Sequence, residues 1–385
     1  MRIVIAPDKF KGSLTAPAVA AAVAVGVRRS LPDAQIDLCP IADGGDGTVA
    51  ALVAATGGRF ERRRVTGPLP EMKVDAEFGI LGSAGVNATA EGGMVAVIEM
   101  AAASGLALVS PADRDPMATT TFGTGELLVE AAKLGSSRII LGIGGSATID
   151  AGIGCCQACG LPVILAGGEP LSPTEPLCGR DLERVVLIKH GRGALIERTR
   201  ITVACDVTNP LTGPAGAAAV YGPQKGASPA EVAWFDRQLS ALAGRTQKTA
   251  EAAMPGSGAA GGLGFALRAY FPNAELRPGV DIVFDAVALR DRLRGADLCI
   301  TGEGRLDDGS LHGKAPVAVA TMCREMGVPC VAVVGSADVA AVANAASLFR
   351  SVLQVQTPGM TLEQAVATSE SRLAELGQTA ASLLR

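Results

Sequence analysis

Asp43-Gly44-Gly45-Asp46-Gly47-Thr48 sets two carboxylates and a hydroxyl among three glycines. Glycines, lacking Cβ, let bare backbone N–H groups approach a phosphate where a helix begins, and the carboxylates can hold Mg²⁺ or accept a proton. Turn formation alone is the plainer account of the same residues. Four further stretches pair chemistry-bearing side chains with turn formers. Pro7-Asp8-Lys9-Phe10-Lys11-Gly12-Ser13 offers Lys9, Lys11 and Ser13 to a carboxylate or phosphate, or is simply a capped helix start with solvated lysines. Thr119-Thr120-Thr121-Phe122-Gly123-Thr124-Gly125-Glu126 precedes Leu141-Gly142-Ile143-Gly144-Gly145-Ser146-Ala147-Thr148, where Gly144, Gly145 and Ser146 suit donation to an anion. A close-packed strand-to-helix turn competes with that reading.

In Ala204-Cys205-Asp206-Val207-Thr208-Asn209-Pro210-Leu211, Asp206 closes an apolar run and Asn209 stands before a proline. Lys225 follows on the loop Gly222-Pro223-Gln224-Lys225-Gly226. A carboxylate at a strand end and a lysine on a loop suit metal or substrate contact, although Asp and Asn near proline also start ordinary turns. Last, Thr301-Gly302-Glu303-Gly304-Arg305-Leu306-Asp307-Asp308, continuing to Lys314, reads as a strand entering a loop of both charge signs. It is not a Walker A loop, because Gly313-Lys314 is followed by Ala315. A surface ion pair between Glu303 and Arg305 is the bland alternative.

Three other patterns carry less. Gly256-Ser257-Gly258-Ala259-Ala260-Gly261 has dinucleotide-loop spacing, but Ala252-Ala253-Met254-Pro255 precedes it instead of a strand. His190 and His312 are too few for a histidine metal site, and no nucleophile elbow supports hydrolysis. Cys156-x-x-Cys159 lacks a second ligand pair and reads as core.

These residues need elements to hold them. Apolar β-rich runs at 2–6, 36–41, 95–100, 138–143, 201–206, 298–301 and 330–334 alternate with helical patterns at 14–30, 46–55, 125–134, 231–242, 263–270, 314–326 and 362–384. That alternation predicts α/β layers with largely parallel strands, whose ligands bind at the carboxyl ends. The alternation of Val74, Ala76, Phe78 and Ile80, followed by Gly82-Ser83-Ala84-Gly85, predicts an antiparallel excursion, with a boundary near Gly67-Pro68-Leu69-Pro70. At 385 residues two or three domains are expected. The 48 glycines imply many ligand-facing or tight loops. Few aromatics and a net charge of −4 argue against nucleic acid and anionic membranes. No run is long enough to span a bilayer, the start lacks a signal-peptide pattern, and nine mostly apolar-embedded cysteines fit a reducing cytoplasm.

Beyond these single signals, eight blocks in order resemble the bacterial type I glycerate kinase family. They are 7–13, 42–48, 99–106, 121–126, 142–148, 222–226, 261–264 and 301–306. The resemblance covers nearly the whole chain. It implies two α/β domains. One is flavodoxin-like with a parallel sheet from both chain ends, 1–68 plus 288–385, and the other is an inserted mixed α/β domain over 69–287.

It also implies transfer of the ATP γ-phosphate to D-glycerate, more readily on the 2-hydroxyl, with Mg²⁺, in a cytoplasmic monomer or homodimer. In that scheme Asp43 is the favoured base, with Asp206 second and Lys9 assisting. Lys11, Ser13, Gly44, Gly45, Gly144, Gly145, Ser146, Asn209, Lys225, Arg305 and Lys314 bind substrate or phosphate, while Asp46 and Glu303 contact the metal. Glycerate 3-kinase activity, an NAD- or lipid-kinase-like reaction, and a non-catalytic metabolite regulator are the alternatives. Three positions depart from the family pattern. Ile149 stands where Asn is usual, Ala151 where Gly is common, and Asp46 where Glu is frequent.

Overall fold

The computed structural model describes residues 1–82, 93–168, 171, 175–189, 195–311 and 314–384. His190, His312 and the turn residues Ser83 to Gly85 lie outside them. Among the described residues thirteen strands run in chain order: β1 Arg2–Pro7, β2 Gln35–Leu38, β3 Arg59–Thr66, β4 Lys73–Ile80, β5 Met94–Glu99, β6 Ser136–Gly142, β7 Val163–Leu165, β8 Val185–Ile188, β9 Arg200–Ala204, β10 Ala274–Arg277, β11 Leu298–Leu306, β12 Cys330–Ala337 and β13 Ser351–Gln354.

They form two principal sheets. The first has the order β13-β12-β11-β1-β2, all parallel, so both chain ends contribute. This is the flavodoxin-like order, with its topological switch point between β1 and β11. The second has the order β10-β9-β6-β5-β4-β3. Its first four strands are parallel, and β4 and β3 continue it antiparallel, as the alternation at 74–80 predicts. A small β7–β8 hairpin stands apart.

Core placement follows from strand burial. β1, β5 and β6 are apolar on both faces because helices or the other sheet cover each side. Helices Ala16–Ser30 and Ser369–Ser382 cover one face of the first sheet, and Gly26 fits there because a Cβ would strike the Ala374 carbonyl. Its other face shares one core with the second sheet. Val4 and Ala6 of β1, Leu52 of helix Thr48–Thr56, Ile282 of helix Gly279–Ala286, and Val97 and Ile140 of the second sheet all belong to it. The two sheets are therefore welded by helices that begin at site turns.

Three sequence expectations change. β11 runs on to Leu306, so Glu303 and Arg305 lie on a strand and not in a loop. Seven-fold parallel pairing along β12 sustains it past the apolar segment. Arg305 pairs with Asp338 at 3.0 Å, so the alternative of a surface Glu303–Arg305 ion pair does not hold among the described residues. The helical pattern at 362–384 divides into Leu362–Ala367 and Ser369–Ser382. Among the described residues, no helix is long and apolar enough to cross a membrane.

Candidate active site

The turn after β2 is set by its own side chains. Asp43 Oδ1 accepts the Gly45 amide at 3.1 Å, and Gly44 and Gly47 hold φ of +93° and +87°, a region that side chains disfavour. Close approach fixes Gly44 as well: a Cβ there would lie 2.6 Å from the Gly279 Cα. The turn thus presses against the start of helix Gly279–Ala286, while a Cβ on Gly142 would meet the Gly44 carbonyl at 2.8 Å. By these contacts the first glycine turn reaches the carboxyl ends of the second sheet.

A cleft of about 400 Å³ opens at this junction. Gly44 and Gly45, the exposed pair Gly144 and Gly145, Ser146 and Asp206 line it together. Lys225 closes its floor. It is 2% exposed, and its Nζ donates to Ser146 Oγ and to the Thr148 carbonyl, each at 2.7 Å. Burial lowers the ammonium to about 7, opposed by the Asp150 carboxylate. Asp150 is itself fully buried and accepts the Thr121 amide, the Thr121 hydroxyl and the Gly152 amide at 2.8, 2.7 and 3.0 Å. The threonine block 119–121 therefore anchors the wall and does not line the cleft.

Asp206 accepts the Gly279 amide at 2.8 Å. Partial burial raises its carboxyl, the Gly279 bond opposes this, and the Asp43 and Asp281 charges add to the rise. The Asp43 charge thus acts on Asp206. Asn209 is spent internally, donating to the Ala215 carbonyl and accepting from Tyr221 OH at 2.7 Å. Tyr221 lines the cleft in its place.

A second hollow of about 350 Å³ adjoins the switch point and is lined by Lys9, Lys11, Ser13 and Asp46. Lys9 Nζ donates to the Asp46 carbonyl, and Ser13 Oγ donates to Ser369 Oγ at 3.1 Å. Asp46 is exposed and faces a different set of charges from Glu303. Glu303, at the carboxyl half of β11, is 7% exposed, and its Oε1 has no hydrogen-bond partner. Burial pushes its carboxyl up to about 7, Ser310 and Lys314 pull it down, and Asp8 and Asp307 add to the rise. Asp8, 8% exposed, is likewise pushed up to about 6 by burial, with Lys9 opposing and Asp43 adding. Lys314 sits 3.4 Å from Asp307, and Arg305 points its charge at exposed Asp338.

Of the residues singled out by sequence, Gly44, Gly45, Gly144, Gly145, Ser146, Asp206 and Lys225 share one cleft, and Lys9, Lys11, Ser13 and Asp46 share the neighbouring hollow. Asp43 joins the two groups through its field on both Asp8 and Asp206. Asn209 and Arg305 are engaged elsewhere. Missed residues are Asp8, Tyr221, Gly279, and Ala259 with Ala260 of the dinucleotide-like run, which line the large cleft although no strand precedes them. Asp8 carried a signal in its place at the end of β1.

The departures are also placed. Ile149 is fully buried in the mid-chain core, so an apolar residue suits the position. Ala151 adopts φ +51°, left-handed backbone that glycine would take without strain.

Glycine-bearing turns at strand ends, a buried lysine and clustered carboxylates in a flavodoxin-like frame define an α/β phosphotransferase type of site. Residues 3–385 match the model of the glycerate kinase family. The chain is 45% identical over 340 residues to the glycerate 2-kinase of Escherichia coli K12, covering 87% of this chain and 85% of that one. It is 44% identical to a glycerate kinase of Halalkalibacterium halodurans, again over 87% and 85%. A crystal structure of a candidate glycerate kinase 2 from Salmonella typhimurium LT2 superposes with a TM-score of 0.85 at 41% identity, covering 100% of this chain and 98% of that one. The chain belongs to the glycerate kinase family and is a kinase.

Proposed function

We propose that this enzyme transfers the γ-phosphate of ATP to the 2-hydroxyl of D-glycerate, giving 2-phosphoglycerate and ADP. The observation that carries the reading is the single cleft where Gly44, Gly144, Ser146, Asp206 and Lys225 meet at the carboxyl ends of the second sheet. The name of the Escherichia coli relative supports the 2-position.

Phosphoryl transfer needs donors around the moving group and an oriented hydroxyl whose proton has an acceptor. The amides of Gly144 and Gly145 and the Ser146 hydroxyl supply donors to phosphate oxygens, and Gly44 and Gly45 add a second bare edge. Lys225 gains full charge when an anion enters its pocket, because the incoming negative charge repays the desolvation that holds it near neutrality. Asp43 takes the proton of the acceptor hydroxyl, with Asp206 aligning it from across the cleft. Lys9, Lys11 and Ser13 grip the glycerate carboxylate, and Lys314 adds positive charge beside them.

Glu303 and Asp8 fit a magnesium ion: both are buried oxygen donors with raised carboxyls, and the partnerless Glu303 Oε1 is what a hard cation would satisfy. Bound there, Mg²⁺ would supply positive charge to phosphate oxygens. Asp46, in the adjoining hollow, is too exposed to share that desolvated environment. Incubation with ATP and D-glycerate, followed by ³¹P–¹H NMR of the product, tests the whole reading. Phosphorus coupled to a single methine proton is expected; coupling to a methylene pair makes the enzyme a 3-kinase. Turnover of NAD or diacylglycerol without glycerate turnover, or no ATP turnover at all, overturns the proposal.

A further inference from the structure

At the amino-terminal pole of the terminal sheet, opposite its catalytic edge, cysteines from three elements converge. Cys299 is the second residue of β11 and Cys330 the first of β12, and the two are register partners on adjacent parallel strands. Register partners point to the same face. Over that face lies helix Ala315–Met326, whose final turn carries Cys323 into the same core. The three sulfurs lie within 4.8 Å of one another, and all three residues are buried. At a rise of about 3.3 Å per residue, Glu303 is roughly 13 Å farther along β11, so the cluster stands apart from the catalytic end of the strand.

A deprotonated thiol is a soft ligand. Three thiolate sulfurs bound to one atom at about 2.3 Å sit roughly 3.5–4 Å apart, so the cluster closes on a single atom by small side-chain rotations. The surrounding core sets the charge that atom must bring. Val4, Val319, Ala320, Val328 and Ala332 belong to the same buried cluster, and apolar surroundings penalise any net charge. Against three thiolates Zn²⁺ leaves one negative charge and Cu⁺ leaves two, whereas a trivalent thiophilic atom leaves none.

We propose that Cys299, Cys323 and Cys330 form a three-thiol site for trivalent arsenic, taken up as arsenous acid. Three As–O bonds of As(OH)₃ break and three As–S bonds form, and each thiol proton leaves with a hydroxide as water. No electron is transferred, and the product is neutral. The reagent is neutral as well, so it crosses an apolar core without the desolvation cost of an ion. Local opening at the connection 327–329, which leads into Cys330 at the edge of the core, gives it a route. Once bound, the arsenic ties helix Ala315–Met326 to β11 and β12.

Native mass spectrometry of the full-length, reduced protein after incubation with excess arsenous acid tests the site. The wild type is expected to gain one arsenic and lose three hydrogens. Cys155→Ala, which removes a buried thiol from the separate helix Ile153–Ala158, is expected to keep that adduct, and Cys299→Ala, Cys323→Ala and Cys330→Ala are each expected to lose it. Arsenous acid should also shift the thermal transition of the wild type upward and leave that of Cys323→Ala in place, a gain that misfolding of a variant cannot imitate. A gain of arsenic plus one hydroxyl with loss of two hydrogens would mean capture by two thiols and overturn the three-sulfur site, as would an adduct that survives Cys323→Ala. Displacement of the arsenic by Zn²⁺ or Cu⁺ at equal concentration would overturn the choice of a neutral occupant. Absence of the adduct from the wild type, or its loss in Cys155→Ala, would overturn the proposal outright.

Discussion

The two sheets meet ligand space with opposite chemistry. At the switch point of the terminal sheet, the ends of β1 and β11 present Asp8 and Glu303, buried carboxyls held well above the ordinary range. At the ends of β6 and β9 stand bare glycines and Ser146 over Lys225, a buried ammonium held well below its ordinary value. Burial disfavours whichever charge each group would carry, so both regions are poised for a partner of opposite sign. The acidic side suits a cation and the lysine side an anion, and Asp43 lies within reach of both fields. On the proposed reaction, the metal and the phosphates would each repair a deficit left by folding.

Removing one side should hurt catalysis more than binding. Lys225→Met is expected to lower kcat by about 10²–10³-fold, the scale of a deleted transition-state donor. Steady-state kinetics check this, and a change confined to KM would move Lys225 out of the chemistry. Asp43→Asn should lower kcat by about 10²-fold while the thermal transition holds, the scale of general-base loss. Near-normal turnover would transfer that role to Asp206. For Lys11→Ala the expected change is roughly tenfold in KM for glycerate at constant kcat, because an exposed lysine grips ground and transition states alike. A fall in kcat instead would place Lys11 beside the moving phosphoryl group.

Smaller effects probe the folded frame. Ala151→Gly relieves left-handed backbone and should stabilise the protein by about 1 kcal/mol in denaturant titrations, the usual cost of a side chain there. Loss of stability would mean that the Ala151 methyl packs usefully.

The raised carboxyl of Glu303 gives a pH signature. A carboxyl with a folded value of about 7 binds its proton more tightly in the folded state, so its contribution is present below about 4.5 and is lost as pH rises through 7. Ligand-free wild-type enzyme should therefore melt at a higher temperature at pH 5 than at pH 8, and Glu303→Gln should flatten that slope. A mutant curve parallel to the wild type would show that another group titrates.

Much of the frame was legible because apolar runs and glycine punctuation are local. β1, β5, β6 and β12 fall where the runs predict, and helix 263–270 matches to the residue. Strands β3 and β10 were not legible. The first is mostly charged, Arg-Phe-Glu-Arg-Arg-Arg-Val-Thr, and exists because β4 pairs along its whole length; the second is four residues held by β9. The site shows the same division. Gly144, Gly145 and Ser146 announced themselves by type and spacing, but the 2.7 Å contact from Lys225 joins residues 79 apart in the chain.

By itself the sequence determined that polar turns would terminate apolar parallel strands, because strand burial and glycine backbone freedom are properties of short segments. Only the tertiary structure decided which turns share a cleft, that Asn209 and Arg305 are engaged elsewhere, and that Asp8 and Glu303 are buried with raised carboxyls. Those outcomes depend on desolvation and on charges brought together from distant segments, quantities that do not exist until the two sheets pack.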